Sequence, residues 1–444
     1  MPKILTAACL AWLAACTLER SSRIDAATGD AGSPLDEPIQ PGQGGGFGTS
    51  TDALDGSGDG PRAPEANDGA ADTPAMPATP ATPAAPSAPS APSAPVEPAA
   101  KERFIGRFDT LDGNRISFAF SASAIVARVL GTGLNVALEE VPGATYQGNV
   151  VHNYFDVFVD GRWHRTFALE ANRIDYPAAQ NLPLGEHTVR IGKRTEAQLG
   201  TVLYRGVSAA AGGTLLAPPP PARRQIEFVG DSITCGLGAD GNVKAANGCA
   251  FADDNENAHA TFAAQMSEAL SAEFVAVAYS GKGILQNYDC VSDRINNLPK
   301  LYDAIVPLHD PNRWNFGQWT PQAVVVNLGT NDYKMANGCP APSNAAFIEA
   351  WVSFLRTIRG NYPDAVLFCT VGPDLYGAAL TLAETNLQAA VAQRIDAGDA
   401  NVAFVRIPVN NGQVGWGCLA HPNRAMHKLV ADALLPTVKA KMRW

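Results

Sequence analysis

Four short polar segments in the C-terminal half either follow a run of residues typical of a buried strand or precede the last predicted helix. They are Gly230-Asp231-Ser232, Ser280-Gly281-Lys282-Gly283, Gly329-Thr330-Asn331-Asp332 and His421-Pro422. A serine hydroxyl is a weak nucleophile until a base within hydrogen-bond reach takes its proton, and neutral imidazole suits that task near pH 7. We therefore predict that Ser232 is the nucleophile and His421 the base of a serine hydrolase.

The same segments supply donors for an oxyanion. The tetrahedral intermediate of acyl transfer carries a negative oxygen, and losing one donor costs on the order of a hundred- to a thousandfold in rate. The candidate donors are the backbone N–H groups of Ser232 and Gly281 and the side-chain amide of Asn331. Each motif alone is weak evidence for a serine hydrolase, but the presence of all four in this order is strong evidence. The Gly-x-Ser-x-Gly elbow does not match, because Thr234 stands at its second glycine.

Alternating strands and helices must position these residues. The apolar pattern predicts strands over residues 226–229, 274–279, 323–328, 365–371 and 402–408. Helical patterns lie over residues 258–271, 344–362 and 424–441. Strands joined by helical crossovers predict an α/β domain, residues 222–444, with a parallel sheet covered on both faces. Ligands of such sheets bind outside the carboxyl ends of the strands, where the four segments fall.

Residues 102–221 have the pattern of an all-β domain. Short runs alternate apolar and polar side chains and are separated by turn signals such as Asp112-Gly113-Asn114 and Asp160-Gly161. About eight such runs predict a β-sandwich of the jelly-roll type. The four prolines Pro218 to Pro221 mark its end.

The N-terminal hundred residues are expected to carry no fold. Residues 1–15 have the charged start and apolar core of an export signal, and Leu13-Ala14-Ala15-Cys16 resembles the lipobox of bacterial lipoproteins, which implies lipidation of Cys16. A plain secretory signal is the alternative. Thr17 after the cysteine favours the outer membrane by the same resemblance. Residues 16–101, rich in Pro, Ala and Gly, are predicted to be a disordered tether between that anchor and the folded domains.

Composition limits the classes of partner. The 444-residue chain carries a formal net charge of −10, which argues against a nucleic-acid partner. After the first 16 residues no apolar run approaches the ~20 residues that span a bilayer. We expect the protein to reach the membrane only through the lipid, and we expect a monomer.

The four segments together resemble the blocks of SGNH (GDSL-type) hydrolases. Further matches are Lys193-Arg194-Thr195-Glu196, Glu256-Asn257-Ala258 and Tyr279-Ser280-Gly281-Lys282-Gly283. With the β-domain in front, residues 102–444 look like carbohydrate esterase family 2. That resemblance implies a jelly roll joined to a flavodoxin-like SGNH domain. It also implies an acetylesterase without metal or other cofactor that deacetylates plant cell-wall polysaccharide of the xylan or mannan type. The partner that this resemblance implies is an acetylated polysaccharide or oligosaccharide.

The histidine segment departs from that resemblance. Many SGNH hydrolases have an aspartate three residues before the histidine, and some of this family have one two before it; Cys418 and Leu419 stand there. A Ser–His dyad with the Cys418 carbonyl orienting the imidazole is expected, with Asp374 as the alternative. The usual aromatic before the histidine is Ala420, so Trp416 is the candidate substrate platform. Three other histidines are poorer candidates for the base: His259, His309 and His427, the last expected to face solvent.

Six cysteines remain beyond Cys9 and Cys16, all in the hydrolase domain. An even number in an exported chain favours disulfides. Of 15 possible pairings we expect Cys235–Cys249, Cys290–Cys339 and Cys369–Cys418. Zinc is disfavoured because no Cys-x-x-Cys pair exists.

Two functions of different classes remain. The first is the esterase; the second is a surface-displayed carbohydrate-binding protein on a catalytically impaired frame, suggested by the missing aspartate and aromatic. The retention of Ser232, Gly281, Asn331 and His421 favours the enzyme. Within that class a lipase or thioesterase is disfavoured because no long apolar lid is apparent, and transacetylation stays open.

Overall fold

The computed structural model describes residues 100–444 apart from 113–114, 142–143, 147, 289, 291–295, 309–310 and 335–338. The predicted signal, lipidation site and most of the tether therefore lie outside the described residues, as does His309. Among the described residues, no helix combines the length and apolar character needed to cross a membrane.

The β-domain consists of short antiparallel strands. They are β1 (Glu102–Ile105), β2 (Asp109–Asp112), β3 (Arg115–Phe118), β4 (Ala124–Gly131), β5 (Leu134–Glu140), β6 (Thr145–Tyr146), β7 (Asn149–Val150), β8 (Tyr154–Val159), β9 (Arg162–Ala168), β10 (Asp175–Ala179), β11 (Gly185–Lys193), β12 (Val202–Ala209) and β13 (Thr214–Leu216). One sheet has the order β1-β4-β11-β8-β9 with β13 on β4, and the other has the order β10-β5-β12-β3-β2. Side chains from both sheets form one apolar core, so the predicted sandwich is confirmed.

The hydrolase domain alternates strands with helices. They are β14 (Arg224–Gly230), α1 (Ser232–Cys235), α2 (Phe262–Ala269), β15 (Ala272–Ala278), α3 (Leu298–Leu301), β16 (Ala323–Asn327), α4 (Thr330–Tyr333), α5 (Asn344–Asn361), β17 (Val366–Thr370), α6 (Gly377–Asp396), β18 (Val402–Phe404) and α7 (Arg424–Met442). The strands are parallel in the order β15-β14-β16-β17-β18. The predicted three-layer, flavodoxin-like fold is confirmed, and the chain reverses its direction of winding beside β14, where ligands of such sheets bind.

Both faces of this sheet are covered. Phe228 of β14 packs in the apolar cluster that holds α2 and α7, whereas its neighbour Val229 packs in the cluster that holds α5 and α6. Because successive side chains of a strand point to opposite faces, a central strand buried on both sides is apolar at nearly every position. The single acidic exception on β14 is Glu227.

Some element boundaries differ from the expectation. The helix α6 was not predicted. The region 258–271 contains a short 3-10 turn, Ala258–Ala260, before α2, because the Thr261 side chain accepts a hydrogen bond from Ala264 N at 3.3 Å and caps a new helix there. The last strand is shorter than predicted and ends at Phe404.

Strand β4 lets the two domains share one interior. Its side chains Ile125, Ala127 and Val129 belong to the sandwich core, whereas Ala124 and Val126 pack in the hydrolase core. The side chains of β4 at the interface between the two domains are therefore as buried as those of a domain core.

A buried ion pair anchors this interface. The Arg107 guanidinium of the β-domain is fully buried, donates to the Tyr302 carbonyl and to Ala304 O at 2.9 Å, and lies 3.5 Å from Glu227 Oε2. Glu227 also accepts hydrogen bonds from the hydroxyls of Tyr302 at 2.6 Å and Tyr362 at 3.2 Å. Burial raises the pKa of Glu227, and the charge of Arg107 opposes that shift. The ionised form of Glu227 therefore depends on the positive charge of Arg107.

Replacing Arg107 with methionine is expected to lower the free energy of unfolding by about 3–5 kcal/mol, because it leaves a buried carboxylate without its cation. Adding Glu227→Gln should recover part of that loss. Urea denaturation measures both changes. As a control, Arg205→Met breaks the exposed pair with Glu139 and should cost less than about 1 kcal/mol. Equal losses for the two arginine variants would contradict the anchoring role.

Candidate active site

Ser232 lies at the carboxyl end of the central strand β14. The chain must turn sharply after Gly230, where a Cβ would overlap the Thr234 hydroxyl, so only glycine fits. The Asp231 carboxylate then accepts a hydrogen bond from Ile233 N at 3.1 Å and caps α1. Ser232 is the first residue of that helix and is 8% exposed, which leaves its hydroxyl at the rim of the sheet.

The structure brings the two predicted catalytic side chains together. His421 Nε2 lies 2.9 Å from Ser232 Oγ, and His421 Nδ1 lies 2.8 Å from the Leu419 carbonyl oxygen. Because a carbonyl only accepts, Nδ1 carries the proton and the lone pair of Nε2 faces the serine hydroxyl. This is the tautomer that a general base requires.

The orienting group differs from both expectations. The Cys418 carbonyl accepts the backbone N–H of His421 at 3.1 Å, and not its ring. The Asp374 side chain accepts from Asn410 Nδ2 at 2.9 Å, and no hydrogen bond joins it to His421 among the described residues. The Leu419 carbonyl is in place because Leu419 and Ala420 both adopt left-handed backbone conformations, with φ of 54° and 57°.

The imidazole is neutral at physiological pH. Removal of water by the surrounding protein, and then the positive charge of Lys334, lowers the pKa of His421 to about 4, against the opposing effect of the Leu419 hydrogen bond. Lys334 follows the Gly329-Thr330-Asn331-Asp332 motif but was not singled out from the sequence. The sequence shows a positive charge after that motif, but it does not show how far this charge lies from His421.

The predicted oxyanion donors lie in one region. The N–H of Ser232 is at a helix start, where intrahelical acceptors are lacking, and Gly281 adopts a left-handed turn with φ of 76°. Asn331 Nδ2 donates to Lys282 O at 2.9 Å and to Asp231 Oδ2 at 3.2 Å. Asn331 therefore joins the three motifs, but its amide hydrogens already have acceptors, so its role as an oxyanion donor stays a prediction.

The other histidines have different surroundings. His259 Nδ1 lies 3.1 Å from Asp156 Oδ2 of the β-domain. The expectation that His427 faces solvent is wrong: it is fully buried where α7 packs on α2, and its Nδ1 accepts from Phe262 N at 3.2 Å. Neither ring has a hydrogen bond to Ser232.

Trp416 lies in the loop that carries His421. It is half-buried, and its indole packs against Gly412, where a Cβ would overlap the ring nitrogen. Its backbone pairs with Val243 through two hydrogen bonds of 2.8 and 2.9 Å. These contacts hold the loop in place at Trp416, and the platform role of Trp416 stays a prediction.

Two disulfides are present among the described residues. The structure joins Cys290 to Cys339, as expected, and joins Cys249 to Cys418. The expected pairs Cys235–Cys249 and Cys369–Cys418 are wrong, since Cys235 and Cys369 are reduced and buried. Cys235 lies in α1 with its sulfur 3.5 Å from a Glu196 carboxylate oxygen, and Cys369 lies inside the central sheet. A disulfide therefore still holds the loop that carries His421, but it joins that loop to Cys249.

No three His, Cys, Asp or Glu side chains are grouped to hold a metal ion within the part of the chain that the structure describes. The arrangement is that of acyl transfer through a serine, with a neutral base in contact with its hydroxyl.

Comparison with known families and relatives supports the same chemistry. Residues 104–219 match the family described as Carbohydrate esterase 2 N-terminal, and residues 228–429 match the GDSL-like Lipase/Acylhydrolase family. The Cellulase/esterase CelE of Acetivibrio thermocellus is 34% identical over 339 residues, 76% of this chain, which spans only 39% of that protein's length. An Acetylxylan esterase / glucomannan deacetylase of Cellvibrio japonicus is 25% identical over 349 residues, 77% of this chain and 88% of its own length.

A solved structure also matches the folded part of the chain. The family two carbohydrate esterase from Clostridium thermocellum in complex with cellohexaose is 34% identical to this chain, with a TM-score of 0.71. The match covers 77% of this chain and 99% of that one. Because both domains match and this relative is matched over nearly its whole length, the chain belongs to carbohydrate esterase family 2.

Proposed function

We propose that this protein is a carbohydrate O-acetyl esterase that works through an acetyl-enzyme on Ser232. The observation that carries the proposal is the hydrogen-bonded series from Leu419 O through the His421 imidazole to Ser232 Oγ, with distances of 2.8 and 2.9 Å. This is the contact between nucleophile and base that covalent catalysis requires, with a third group orienting the base.

The proposed chemistry has two acyl-transfer steps. His421 Nε2 takes the hydroxyl proton as Ser232 Oγ attacks the acetyl carbon, and the N–H groups of Ser232 and Gly281 stabilise the oxyanion. The imidazolium then gives that proton to the departing sugar oxygen, leaving acetyl-Ser232. A water, deprotonated by the same nitrogen, then attacks the carbonyl carbon of acetyl-Ser232. The bond to the serine oxygen breaks, that oxygen takes the proton back from the imidazolium, and acetic acid leaves and ionises to acetate.

The absence of an aspartate beside His421 has a physical consequence. In a triad, a carboxylate stabilises the imidazolium that forms in the transition state. Here the Leu419 carbonyl takes that place and opposes the fall in pKa only in part. Burial, and then the positive charge of Lys334, lowers the pKa of His421 to about 4. The base is weaker than in a triad, but it stays unprotonated in acidic solution.

The substrate class is proposed from the relatives. Their names include acetylxylan esterase and glucomannan deacetylase, and one was solved with cellohexaose. We propose acetylated xylan or mannan of the plant cell wall as substrate, with Trp416 as its platform. The carbohydrate-binding alternative is less favoured, because an impaired frame has no need of a serine and an imidazole in contact.

Export and lipid anchoring are part of the proposal. The sequence of residues 1–16 supports them, and two disulfides are in keeping with an oxidising compartment. The protein would then act outside the cytoplasm, held through Cys16 to a membrane, at the outer membrane or cell surface.

Purified protein should hydrolyse 4-nitrophenyl acetate faster than the butyrate and octanoate esters, and EDTA should leave the rate unchanged. Ser232→Ala should lower kcat at least about a thousandfold, because the nucleophile is lost. The matched control is Ser267→Ala, which should keep full activity. Ser267 is a buried serine of α2 whose hydroxyl has no hydrogen-bond partner among the described residues. Turnover equal in wild type and Ser232→Ala, both folded, would disprove the esterase. Acetate release from xylan and glucomannan then identifies the polymer.

The pH dependence of kcat/KM should report the free-enzyme pKa of His421. His421 must be neutral to act, so activity should be constant down to about pH 5 and should fall tenfold per unit below about pH 4. Lys334→Met should move this acid limb to higher pH, because it removes a positive charge that disfavours the imidazolium. Stopped-flow assays after a brief pH jump separate this titration from acid unfolding.

Lys428→Met is the control for charge alone, since that exposed lysine pairs with Asp432 on α7. It should leave the acid limb in place. An acid limb near pH 6.5 in the wild type would contradict the proposed environment of His421.

Replacing Cys16 with serine is expected to move the protein from the membrane fraction to the soluble extracytoplasmic fraction, because the lipidated sulfur is lost. Fractionation of expressing cells followed by immunoblotting measures this. Cys9→Ser, a change within the signal, should leave the membrane location unaltered. A soluble wild-type protein would instead support the plain secretory signal.

A further inference from the structure

A carboxylate of the β-domain contacts the loop that carries an oxyanion donor. Glu196 lies between β11 and β12 and is fully buried. One of its oxygens, Oε2, accepts the backbone N–H of Ser280 at 2.8 Å, and the other accepts the Ser280 hydroxyl. Ser280 directly precedes Gly281.

The same carboxylate contacts the nucleophile helix. Cys235, the last residue of α1, places its sulfur 3.5 Å from Glu196 Oε2. The helix begins at Ser232, so the segments with the two backbone donors, the Ser232 and Gly281 N–H groups, both contact one carboxylate. The N–H of Gly281 belongs to the peptide group that follows Ser280. Because Glu196 holds both the N–H and the hydroxyl of Ser280, it restrains how that peptide group can turn.

Glu196 is itself held from its own side. Its backbone N–H donates to Glu256 Oε1 at 2.8 Å, and its carbonyl accepts from Lys193 Nζ at 2.9 Å. Lys193 and Glu256 are fully buried too. Burial lowers the pKa of Lys193 to about 8 and raises the pKa of Glu196. Burying two carboxylates and an ammonium is costly, and an apolar cluster of the same volume often serves stability as well or better. Stability alone is therefore a poor account of this cluster.

We propose that Glu196 is a positioning residue for the oxyanion hole, so that the β-domain completes the catalytic centre. The proposal rests on the proposed function, since it requires an oxyanion to stabilise. Glu196 acts through Ser280 and does not touch the reacting atoms. Its loss should weaken binding of the transition state more than binding of the substrate, because the displaced N–H faces charge that develops only in the transition state.

The test compares kcat, KM and affinity for methylboronic acid, which forms a tetrahedral adduct on a catalytic serine, in the full chain. Glu196→Ala loses both bonds to Ser280 and should lower kcat by about a hundredfold, with KM changed less than about threefold. Glu196→Gln keeps one acceptor oxygen and should lose about tenfold. Boronate affinity should fall in step with kcat, which a role confined to stability would not cause.

Ser280→Ala provides a second variant, which removes the hydroxyl that donates to Glu196 but keeps the side chains of Glu196, Lys193 and Glu256. It should lower kcat in the wild-type background and have almost no further effect in the Glu196→Ala background, because the two residues share one interaction. If Glu196→Ala does not fold, Ser280→Ala decides by itself, and its full activity would overturn the proposal. The matched control is Glu140→Gln, whose partners His152 and Asn153 lie in the β-domain and which should keep full kcat.

Two results would overturn the proposal in folded Glu196 variants: unchanged kcat and boronate affinity with only a lower melting temperature, or additive effects with Ser280→Ala. Failure of the proposed function would instead be visible in the measurements on the wild-type protein. A wild-type protein with no Ser232-dependent turnover and no boronate binding would overturn both proposals.

Discussion

The hydrogen bond from His421 Nδ1 to the Leu419 carbonyl is the constraint on which the rest of the site depends. It fixes the tautomer, so Nε2 faces Ser232, and it does so with a neutral group where many related hydrolases have a carboxylate. The two successive left-handed residues Leu419 and Ala420 make it possible, and such conformations persist only where the surroundings hold them. Here the hydrogen bonds between Trp416 and Val243 and the disulfide of Cys418 hold the chain just before these two residues.

A second constraint comes from the shared interior of the two domains. Strand β4 supplies side chains to both cores, and Arg107 crosses from the β-domain to Glu227 on the central strand of the other. Such an interface leaves little freedom for the domains to move against each other. The β-domain therefore cannot be regarded as an independent module: its position determines where Glu196 meets the Ser280 loop.

The sequence predicted the parts of this protein that local patterns encode. The strands near Phe228, with their two-sided burial, and the motifs at Ser232 and His421 were visible because strand periodicity and the chemistry of acyl transfer restrict which residues can stand there. The helix α6 was missed because its apolar residues form no clear stripe. The orienting carbonyl of Leu419 was missed by one residue, because a backbone group has no signature in the sequence. The pairing of Cys418 depends on distances between distant loops, which spacing along the chain does not give.

The disulfide between Cys249 and Cys418 determines when the loop that carries His421 can reach its final structure. Its cysteines are 169 residues apart, and the second is next to the residue whose carbonyl holds the catalytic imidazole. Nearly the whole hydrolase domain must therefore be synthesised before this disulfide can form. It forms only in a compartment where thiols are oxidised. Synthesis in a reducing cytosol would yield a chain whose last catalytic loop is held by hydrogen bonds alone. If the protein is exported as proposed, the disulfide would form only after the chain has left the cytosol, so the cytosol of the producing cell would not contain the fully active esterase.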